Sequence, residues 1–434
     1  MPASEEATDT DQRREAQHPP GSTQAADRPR PLHTALDSVF ERVRALTDGE
    51  VASYIPELAR EDPDQLGIAL ASVRGTTHEM GDSAAEFTIQ SVSKPFVFAL
   101  ALEQLGLAAV STHVGLEPSG EPFNAISLEE ASGRPLNPMI NAGAIVTTSL
   151  ITGNTADEKF DVISAGLAAF AGRDLAVDEA VFESEAATGD RNRALAYLAR
   201  SAGTLASTAE VATRAYFRQC AMRVNARDLA IMAATLAAGG VNPITRQRVV
   251  SESVARWTSA VMTSCGMYDA SGEWLVRVGL PAKSGVGGGI VALQPERFGI
   301  GTFSPRLNDR GNSVRGVAML EELSERFGLH MLEHRAEPLS PIGEVSRASE
   351  AADADVSARL RGDLKFGDAE QVLSELLPEL ETGGVLTLDF GGVTRVAAPA
   401  ARLFRWAEAG ARPTDTGEPR LVLHDPEHVL GSTD

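Results

Sequence analysis

Ser91 and Lys94 stand three residues apart in the stretch FTIQSVSKPFVFALALEQLGL (87–107), where a strand-like run changes into an apolar helix. On a helix the two side chains lie one turn apart on the same face, so the amine can reach the hydroxyl. A partly desolvated lysine loses its proton more easily and can then activate a serine as a nucleophile. The start of the helix also offers free backbone N–H groups for a developing oxyanion. The alternative to this catalytic interpretation is that Ser91 only caps the helix and the Lys94 side chain lies in solvent.

A second motif strengthens the catalytic interpretation. Lys283, Ser284 and Gly285 lie in LPAKSGVGGGIV (280–291), where glycines let the backbone approach a ligand closely. Ser-x-x-Lys followed later by Lys-Ser-Gly is the pairing of penicillin-recognising serine enzymes. The Ser-x-Asn or Tyr-x-Asn motif expected between them is missing from the sequence, which counts against β-lactam chemistry.

Further blocks extend the pattern over about residues 33–332. In chain order they are VASYIPELA, FTIQSVSKPF, VGLEPSGEPFNA, NPMINAGAI, SEAATGDRNRALAY, YFRQCAMRVNARDLA, TSCGMYDASGEW, GLPAKSGVGGGI and SPRLNDRGNSVRG. With these blocks in this order the chain resembles the serine-dependent glutaminases. That family has a β-lactamase-like fold and hydrolyses L-glutamine to L-glutamate and ammonia. The resemblance implies an enzyme that needs no cofactor.

The resemblance also implies a full active site. Ser91 would be the nucleophile, Lys94 its activating partner, and Tyr268 the relay that passes a proton to and from the leaving ammonia. The backbone N–H groups of Ser91 and Val286 would form the oxyanion hole. The α-amino and α-carboxylate groups would be held by polar side chains, namely Tyr54, Asn141, Glu185, Asn192 and Tyr216. A carboxylate suits an ammonium group, and amides and phenols can donate to a carboxylate. Taken singly, each has a plainer interpretation as a core, turn or cap residue.

Two stretches match a zinc-protease pattern, HMLEH (330–334) and HDPEH (424–428). The first closes the presumed last helix of the catalytic domain. In the second, Pro426 disfavours the continuous helix that would bring both imidazoles to one metal. We therefore expect no metal site.

Composition narrows the class of protein. A formal net charge of −21 argues against nucleic-acid binding, which depends on basic surfaces. The longest apolar stretch is interrupted by Glu103 and Gln104, so we expect no membrane span. Two cysteines do not make a disulfide framework, and no secretory signal is recognisable, so we expect a cytoplasmic protein. The acidic, lysine-poor composition also predicts activity at high salt.

Composition also divides the chain into segments. Residues 1–32 are predicted to be a disordered tail, 33–335 the catalytic domain, 336–355 a Pro-, Ser- and acid-rich linker, and 356–434 a third segment. Apolar spacing predicts helices in HTALDSVFERVRAL, FDVISAGLAAFAG, NRALAYLARSAG, ARDLAIMAATLAAGG and VRGVAMLEELSERFG. Strands are predicted in LGIALASV, EFTI, LVRVGL, GIVALQ and RFGIGTFSP. This pattern favours an α+β catalytic domain with one mixed sheet flanked by a helical subdomain.

The segment 356–434 alternates strand and helix, with VLTLDF as an apolar strand and AEQVLSELLPEL as an amphipathic helix. It resembles the STAS domains, small α/β docking modules. Signalling members carry a phosphorylatable serine where this chain reads TRVAAPAARLF, so a phosphorylation switch is not expected. A protein partner could bind here.

The resulting hypothesis is a cytoplasmic glutaminase that acts on L-glutamine through a Ser-Lys/Tyr acyl-enzyme mechanism. The family resemblance suggests a homodimer or homotetramer. Two alternatives stay open at this level. One is another Ser-x-x-Lys hydrolase, such as a penicillin-recognising peptidase. The other is a regulatory scaffold whose catalytic half is inactive.

Overall fold

The computed structural model describes residues 31–119, 128–333, 340–351, 354–382, 384–411, 413 and 419–431. The chain divides into two compact units, Met1–Glu333 and His334–Asp434. The tail expected at 1–32 lies outside the described residues except at its last two positions. There the first helix already begins at Pro31, so the predicted boundary falls two residues late.

Helices and strands occur in both units. The helices are α1 (Pro31–Arg44), α2 (Lys94–Val110), α3 (Asn141–Leu150), α4 (Ala156–Ala171), α5 (Glu179–Thr188), α6 (Asp190–Ser201), α7 (Ala209–Cys220), α8 (Ala226–Ala237), α9 (Glu252–Cys265), α10 (Ser271–Arg277), α11 (Val314–Phe327), α12 (Phe366–Leu376) and α13 (Ala398–Gly410). The strands are β1 (Gly67–Ser72), β2 (Thr77–Gly81), β3 (Phe87–Thr88), β4 (Arg223–Val224), β5 (Ala282–Ser284), β6 (Gly289–Gln294), β7 (Phe298–Phe303), β8 (Ile342–Arg347), β9 (Val356–Leu364), β10 (Leu386–Val396) and β11 (Leu421–His424).

The first unit is built on a five-stranded sheet with the order β2-β1-β7-β6-β5. All neighbouring strands in it are antiparallel. The expectation of a mixed sheet is therefore wrong for this unit. The connections between β1 and β2 and along β5, β6 and β7 are too short for the crossover that a parallel pair requires.

The strands direct alternate side chains to two layers of helices. On one face Ile68 and Leu70 share a core with residues of α1 and α11. On the other face Ala69 and Ala71 share a core with residues of α2, α8 and α9. A Cβ at Gly301 of β7 would lie 2.1 Å from the carbonyl oxygen of Ala226, so glycine there lets α8 lie directly on the sheet.

A helical subdomain with a core of its own completes the first unit. Residues of α3, α5, α6 and α7 form this core, together with Ile55 and Leu58. Local sequence sets the ends of its helices: Asp178 caps α5 and Thr208 caps α7 through their side-chain oxygens. Four of the predicted substrate-binding residues belong to these helices, so the subdomain determines where they lie.

Most elements predicted from periodicity are confirmed, including α1, α4, α6, α8 and α11 and the strands β1, β6 and β7. The stretch LVRVGL (275–280) is not a strand, because its first residues continue α10. The strand prediction was wrong because a short apolar run is as compatible with a helix end as with a strand. EFTI forms the short strand β3, which pairs with β4 outside the main sheet. β2 was not anticipated, since this edge strand is only partly buried and lacks a clear apolar alternation.

Within the described residues, the helical stretch Gln90–Val110 is long and apolar enough to cross a membrane by length and composition alone. The sequence analysis expected no membrane span because Glu103 and Gln104 interrupt this stretch, but the two polar residues do not make it too short or too polar by this criterion. The first nine residues of α2, Lys94 to Leu102, are all buried in the protein. Packing in the core accounts for the apolar sequence of this helix.

The second unit contains a four-stranded sheet with the order β11-β10-β9-β8. β9, β10 and β11 are parallel neighbours, which confirms VLTLDF as a parallel strand, and β8 joins antiparallel. Residues of α12 and α13 pack with these strands in one core, where Phe390 and Phe404 meet edge to face at 5.1 Å.

The segment 336–355, expected to be a linker, differs from that expectation. Residues 336–339 and 352–353 lie outside the described residues, but Ile342–Arg347 is the edge strand β8. Five of its six residues are exposed, so the strand needs few apolar residues and its composition is that of a loop.

Candidate active site

Ser91 lies on a short 3-10 turn, Gln90–Ser93, that leads directly into α2. The residue before it, Gln90, has a φ of 47°, which is unusual for a non-glycine residue. Lys94 Nζ lies 2.8 Å from Ser91 Oγ. Both side chains are buried, with Ser91 6% and Lys94 1% exposed. The helix start therefore brings the two groups together, and the interpretation of Lys94 as a solvent-exposed side chain is wrong.

Burial lowers the pKa of Lys94 to about 8, although the negative charge of Glu185 acts in the opposite direction. Nζ also lies 2.7 Å from Asn141 Oδ1. A lysine with this pKa has an accessible neutral amine near physiological pH. It can therefore accept a proton from Ser91, as activation of the serine requires.

Tyr268 faces the same serine from the other side. It lies on a short 3-10 turn, Tyr268–Ala270, and has a φ of 57°, again unusual for a bulky residue. Its hydroxyl donates to the carbonyl oxygen of Ser284 at 3.0 Å and is hydrogen-bonded to the side chain of Ser91. Burial raises the pKa of Tyr268, so the phenol is protonated and can give a proton to a leaving group.

The two amides expected to form an oxyanion hole lie on adjacent segments. A Cβ at Gly285 would lie 2.8 Å from Val92 Cγ2, so the chain at 285–286 runs against the turn that carries Ser91. Within the described residues, the backbone N–H groups of Ser91 and Val286 have no hydrogen-bond acceptor. Unpaired amides next to a nucleophile can bind an oxyanion.

The predicted binding residues form two hydrogen-bonded groups. Asn141, the first residue of α3, donates from Nδ2 to Asn192 Oδ1 at 3.1 Å, and Tyr216 donates to Asn141 Oδ1 at 3.4 Å. Tyr54 donates to Glu185 Oε1 at 2.7 Å. Burial raises the pKa of Glu185, although Tyr54, Gln90 and the charge of Lys94 each lower it. A buried carboxylate with neutral donors around it is a suitable anchor for an ammonium group.

The other eight residues expected from the sequence thus lie around Ser91, but three further contributors were not assigned a role. Gln90 Oε1 accepts from Tyr54 at 3.3 Å, and its side chain is also hydrogen-bonded to Glu185. Lys283 is fully buried with Nζ 4.1 Å from the centroid of the Tyr268 ring. The buried thiol of Cys220 is hydrogen-bonded to Tyr216, and burial raises its pKa to about 12, so it is a neutral packing group. The sequence signalled Gln90 by its place next to the motif serine and Lys283 by the Lys-Ser-Gly motif.

A cleft of about 750 Å³ opens beside the site. Tyr268 and Val286 contribute to its walls, as do residues 48–53 and 307–311. The cleft can provide access to the serine from solvent. In the part of the chain that the structure describes, no group of three or more His, Cys, Asp or Glu side chains could hold a metal ion. The HMLEH stretch follows the end of α11, and its last histidine lies outside the described residues.

A serine next to a lysine with a lowered pKa, a protonated tyrosine and two free amides is the arrangement of a serine acyl-transfer enzyme. Comparison with known proteins identifies the family. The family model described as Glutaminase matches residues 49–332. The chain belongs to the glutaminase family.

Individual relatives agree with this assignment. Glutaminase 2 of Bradyrhizobium diazoefficiens is 47% identical over 402 residues, which are 88% of this chain and 64% of that protein. The chain thus spans less than two thirds of the length of this relative. Glutaminase of Corynebacterium glutamicum is 42% identical over 403 residues, which are 92% of this chain and 95% of that one.

The solved structures give the same result for the fold. A crystal structure of the protein Mglu has a TM-score of 0.83 at 43% identity, covering 93% of this chain and 100% of that one. Mglu has also been solved in its L-glutamate binding form in the presence of 4.3 M NaCl. A solved structure of the probable glutaminase ybaS also matches, with a TM-score of 0.68 at 41% identity, covering 70% of this chain and 98% of that one. The protein therefore has a mixed α+β fold that matches glutaminase structures.

Proposed function

We propose that the protein hydrolyses the side-chain amide of L-glutamine to L-glutamate and ammonia. The observation that carries the proposal is the 2.8 Å contact between Lys94 Nζ and Ser91 Oγ inside a buried site. The neutral amine of Lys94 takes the serine proton while Oγ attacks the amide carbon. The amides of Ser91 and Val286 donate to the resulting oxyanion. Tyr268 gives a proton to the nitrogen as the C–N bond breaks, so ammonia leaves and a glutamyl ester stays on Ser91.

The second half of the reaction reverses these roles. Water attacks the ester and its proton passes to the phenolate of Tyr268, while Lys94 returns its proton to Ser91 Oγ as glutamate leaves. Glu185 binds the α-ammonium group of the substrate, and the polar group of Asn141, Asn192 and Tyr216 binds the α-carboxylate. Because both anchors must be filled, simple amides that lack these groups are poor substrates.

The test is release of ammonia from L-glutamine by the purified chain, with Ser91→Ala as the matched control. The proposal expects turnover by the wild type and none by the variant at equal folded concentration. A Ser91→Ala protein that retained a large fraction of the wild-type rate would show that Ser91 is not the nucleophile. Labelling of Ser91 by a penicillin without any glutamine turnover would instead favour a penicillin-recognising hydrolase.

For the fold, we propose that the first unit is β-lactamase-like. The support is an antiparallel sheet whose edge strand β5 carries Lys283 and Ser284 beside the helix start with Ser91. For the second unit, we propose a STAS-like module that docks a protein partner and takes no part in the chemical step. Its mixed four-stranded sheet and two packed helices support this. A chain ending after Glu333 should then keep the full turnover number, and a drop of more than about tenfold would refute the separation.

Three properties of the whole protein are also proposals. We propose a homodimer or homotetramer, which analytical ultracentrifugation of the full chain tests. We propose a cytoplasmic location, which cell fractionation tests. We propose activity at molar salt, because ions screen the self-repulsion of a chain with net charge −21. Loss of most turnover at about 1 M NaCl would refute the last proposal.

A further inference from the structure

The strongest unassigned feature of the site is the buried amine of Lys283. Its side chain is 0% exposed, and its Nζ donates to the carbonyl oxygen of Ser284 at 2.6 Å. The hydroxyl of Tyr268 donates to the same oxygen at 3.0 Å. The amine also lies 4.1 Å from the centroid of the Tyr268 ring. Lys283 and Tyr268 therefore share one acceptor and touch each other through the ring.

This shared acceptor has a consequence for proton transfer. When Tyr268 gives its proton to the leaving nitrogen, its hydroxyl must turn away from the Ser284 carbonyl. A buried carbonyl left without a donor costs free energy, about 1–3 kcal/mol. A carbonyl oxygen has two lone pairs, so a second donor can keep it satisfied while the first one leaves. Lys283 is that second donor.

We propose that Lys283 is a positioning residue for Tyr268: its amine fixes the tyrosine ring and keeps the Ser284 carbonyl hydrogen-bonded while the phenol transfers its proton. The inference rests on the proposed glutamine hydrolysis and on the role of Tyr268 in it. Tyr268 is the reacting group, and Lys283 acts only through it.

Burial and the charges around Lys283 act on the pKa of its amine. Burial lowers this pKa well below the ordinary value of lysine, and the nearby charge of Lys94 lowers it further, while Cys265 acts in the opposite direction. The amine carries N–H donors in either protonation state, so it can donate to the Ser284 carbonyl throughout the pH range.

The experiment compares Lys283→Met with wild type on two substrates. With L-glutamine, whose leaving nitrogen needs a proton, we expect kcat to fall by about 10- to 100-fold and KM to stay within about twofold. With the γ-4-nitrophenyl ester of L-glutamate, the leaving group needs no proton. The burst of 4-nitrophenolate that reports acylation of Ser91 should therefore stay within about threefold of wild type.

A double-mutant cycle and a matched control complete the test. In a Tyr268→Phe background, adding Lys283→Met should change glutamine turnover by less than about twofold. Lys159→Met is the control, since Lys159 is also buried and donates to the backbone carbonyls of Ser149 and Ile151 away from the site. It should leave kcat unchanged. If Lys283→Met is insoluble, Lys283→Leu is measured in the same way.

The outcomes separate this inference from the proposed function. A wild type that releases no ammonia from glutamine refutes the proposed function. If the wild type is active, equal losses on amide and ester, or full additivity with Tyr268→Phe, overturn the positioning role. An acid limb of kcat/KM that moves by more than about half a pH unit in Lys283→Met would also overturn it, because Lys283 would then act on Lys94 and not only through Tyr268.

Discussion

The titration of Lys94 should set the acid limb of the activity profile. Its pKa of about 8 results from burial of the amine. Only the neutral amine can accept the proton of Ser91, and with this pKa the neutral fraction is about 9% at pH 7, half at pH 8 and about 90% at pH 9. We therefore expect kcat/KM for glutamine to rise about tenfold from pH 7 to pH 9 and to fall about tenfold per pH unit below 7.

Two other titrating groups shape the rest of this profile. Burial raises the pKa of Tyr268 above its ordinary value of 10.0, so no descending limb from the phenol is expected below about pH 10. Burial also raises the pKa of Glu185 from its ordinary value of 4.5. Its protonation removes the ammonium anchor, so the acid limb should become steeper at the acid end of the range.

The assay is the initial rate of ammonia release, measured in stopped samples across the pH range at several glutamine concentrations. Enzyme incubated at each pH and returned to pH 8 must regain its full rate, which excludes irreversible unfolding. Asp190→Asn changes a carboxylate of the same subdomain that is 94% exposed and should leave the acid limb in place. A flat profile between pH 6 and 9, or an acid limb centred below about pH 6.5, would refute Lys94 as the base.

Three further predictions concern stability and chemistry. Lys94→Met should abolish turnover but raise Tm at pH 7. The drop in pKa from 10.5 to about 8 corresponds to a cost of about 3 kcal/mol for burying the charged amine, and the substitution removes this cost. Thermal unfolding followed by circular dichroism measures the change, and an unchanged or lower Tm would contradict the prediction. For the wild type, the native pKa is lowered, so the free energy of unfolding should increase as pH rises from about 8 to 10.5, and Lys94→Met should lose this slope. Gly266→Ala should lower the free energy of unfolding by at least about 3 kcal/mol, because its Cβ would lie 1.7 Å from the Ala282 carbonyl oxygen. The control Gly272→Ala, with no atom within 4 Å, should stay within about 0.5 kcal/mol, and equal effects of the two would refute the steric argument.

The main elements of the fold could be predicted because their sequence patterns are local. The apolar spacing of α8 and the apolar run of β6 each determine an element without reference to the rest of the chain. The secondary-structure predictions were wrong where the burial of a segment did not match what its apolar or polar composition suggests. LVRVGL contains Val278 and Leu280, which are buried directly after the end of α10, and β8 is polar because it is an exposed edge strand. Neither fact is visible in the residues themselves.

The candidate site could be predicted as a set of residues but not as a set of interactions. Ser91 and Lys94 are one turn apart in sequence, so their contact follows from helix geometry. The contact between Tyr54 and Glu185 joins a loop to α5 across 131 positions, and only the assembled subdomain brings them together. The positive φ angles of Gln90 and Tyr268 could not be predicted either, because both residue types normally avoid that region.

Several features of the site lower the stability of the folded protein. Two lysines are buried without an ion pair to a carboxylate within the described residues, and two non-glycine residues are held at positive φ. A strained backbone persists only where the surrounding structure holds it in place. Here the turn of Gln90 is held by β3 and α7, whose Gln219 donates to Ser93 Oγ while Ser93 donates to the Gln90 carbonyl. This support lies in the small β3–β4 pair and in the helical subdomain. Substitutions at Gln219 should therefore reduce turnover through the orientation of Ser91, although Gln219 itself contacts no reacting atom.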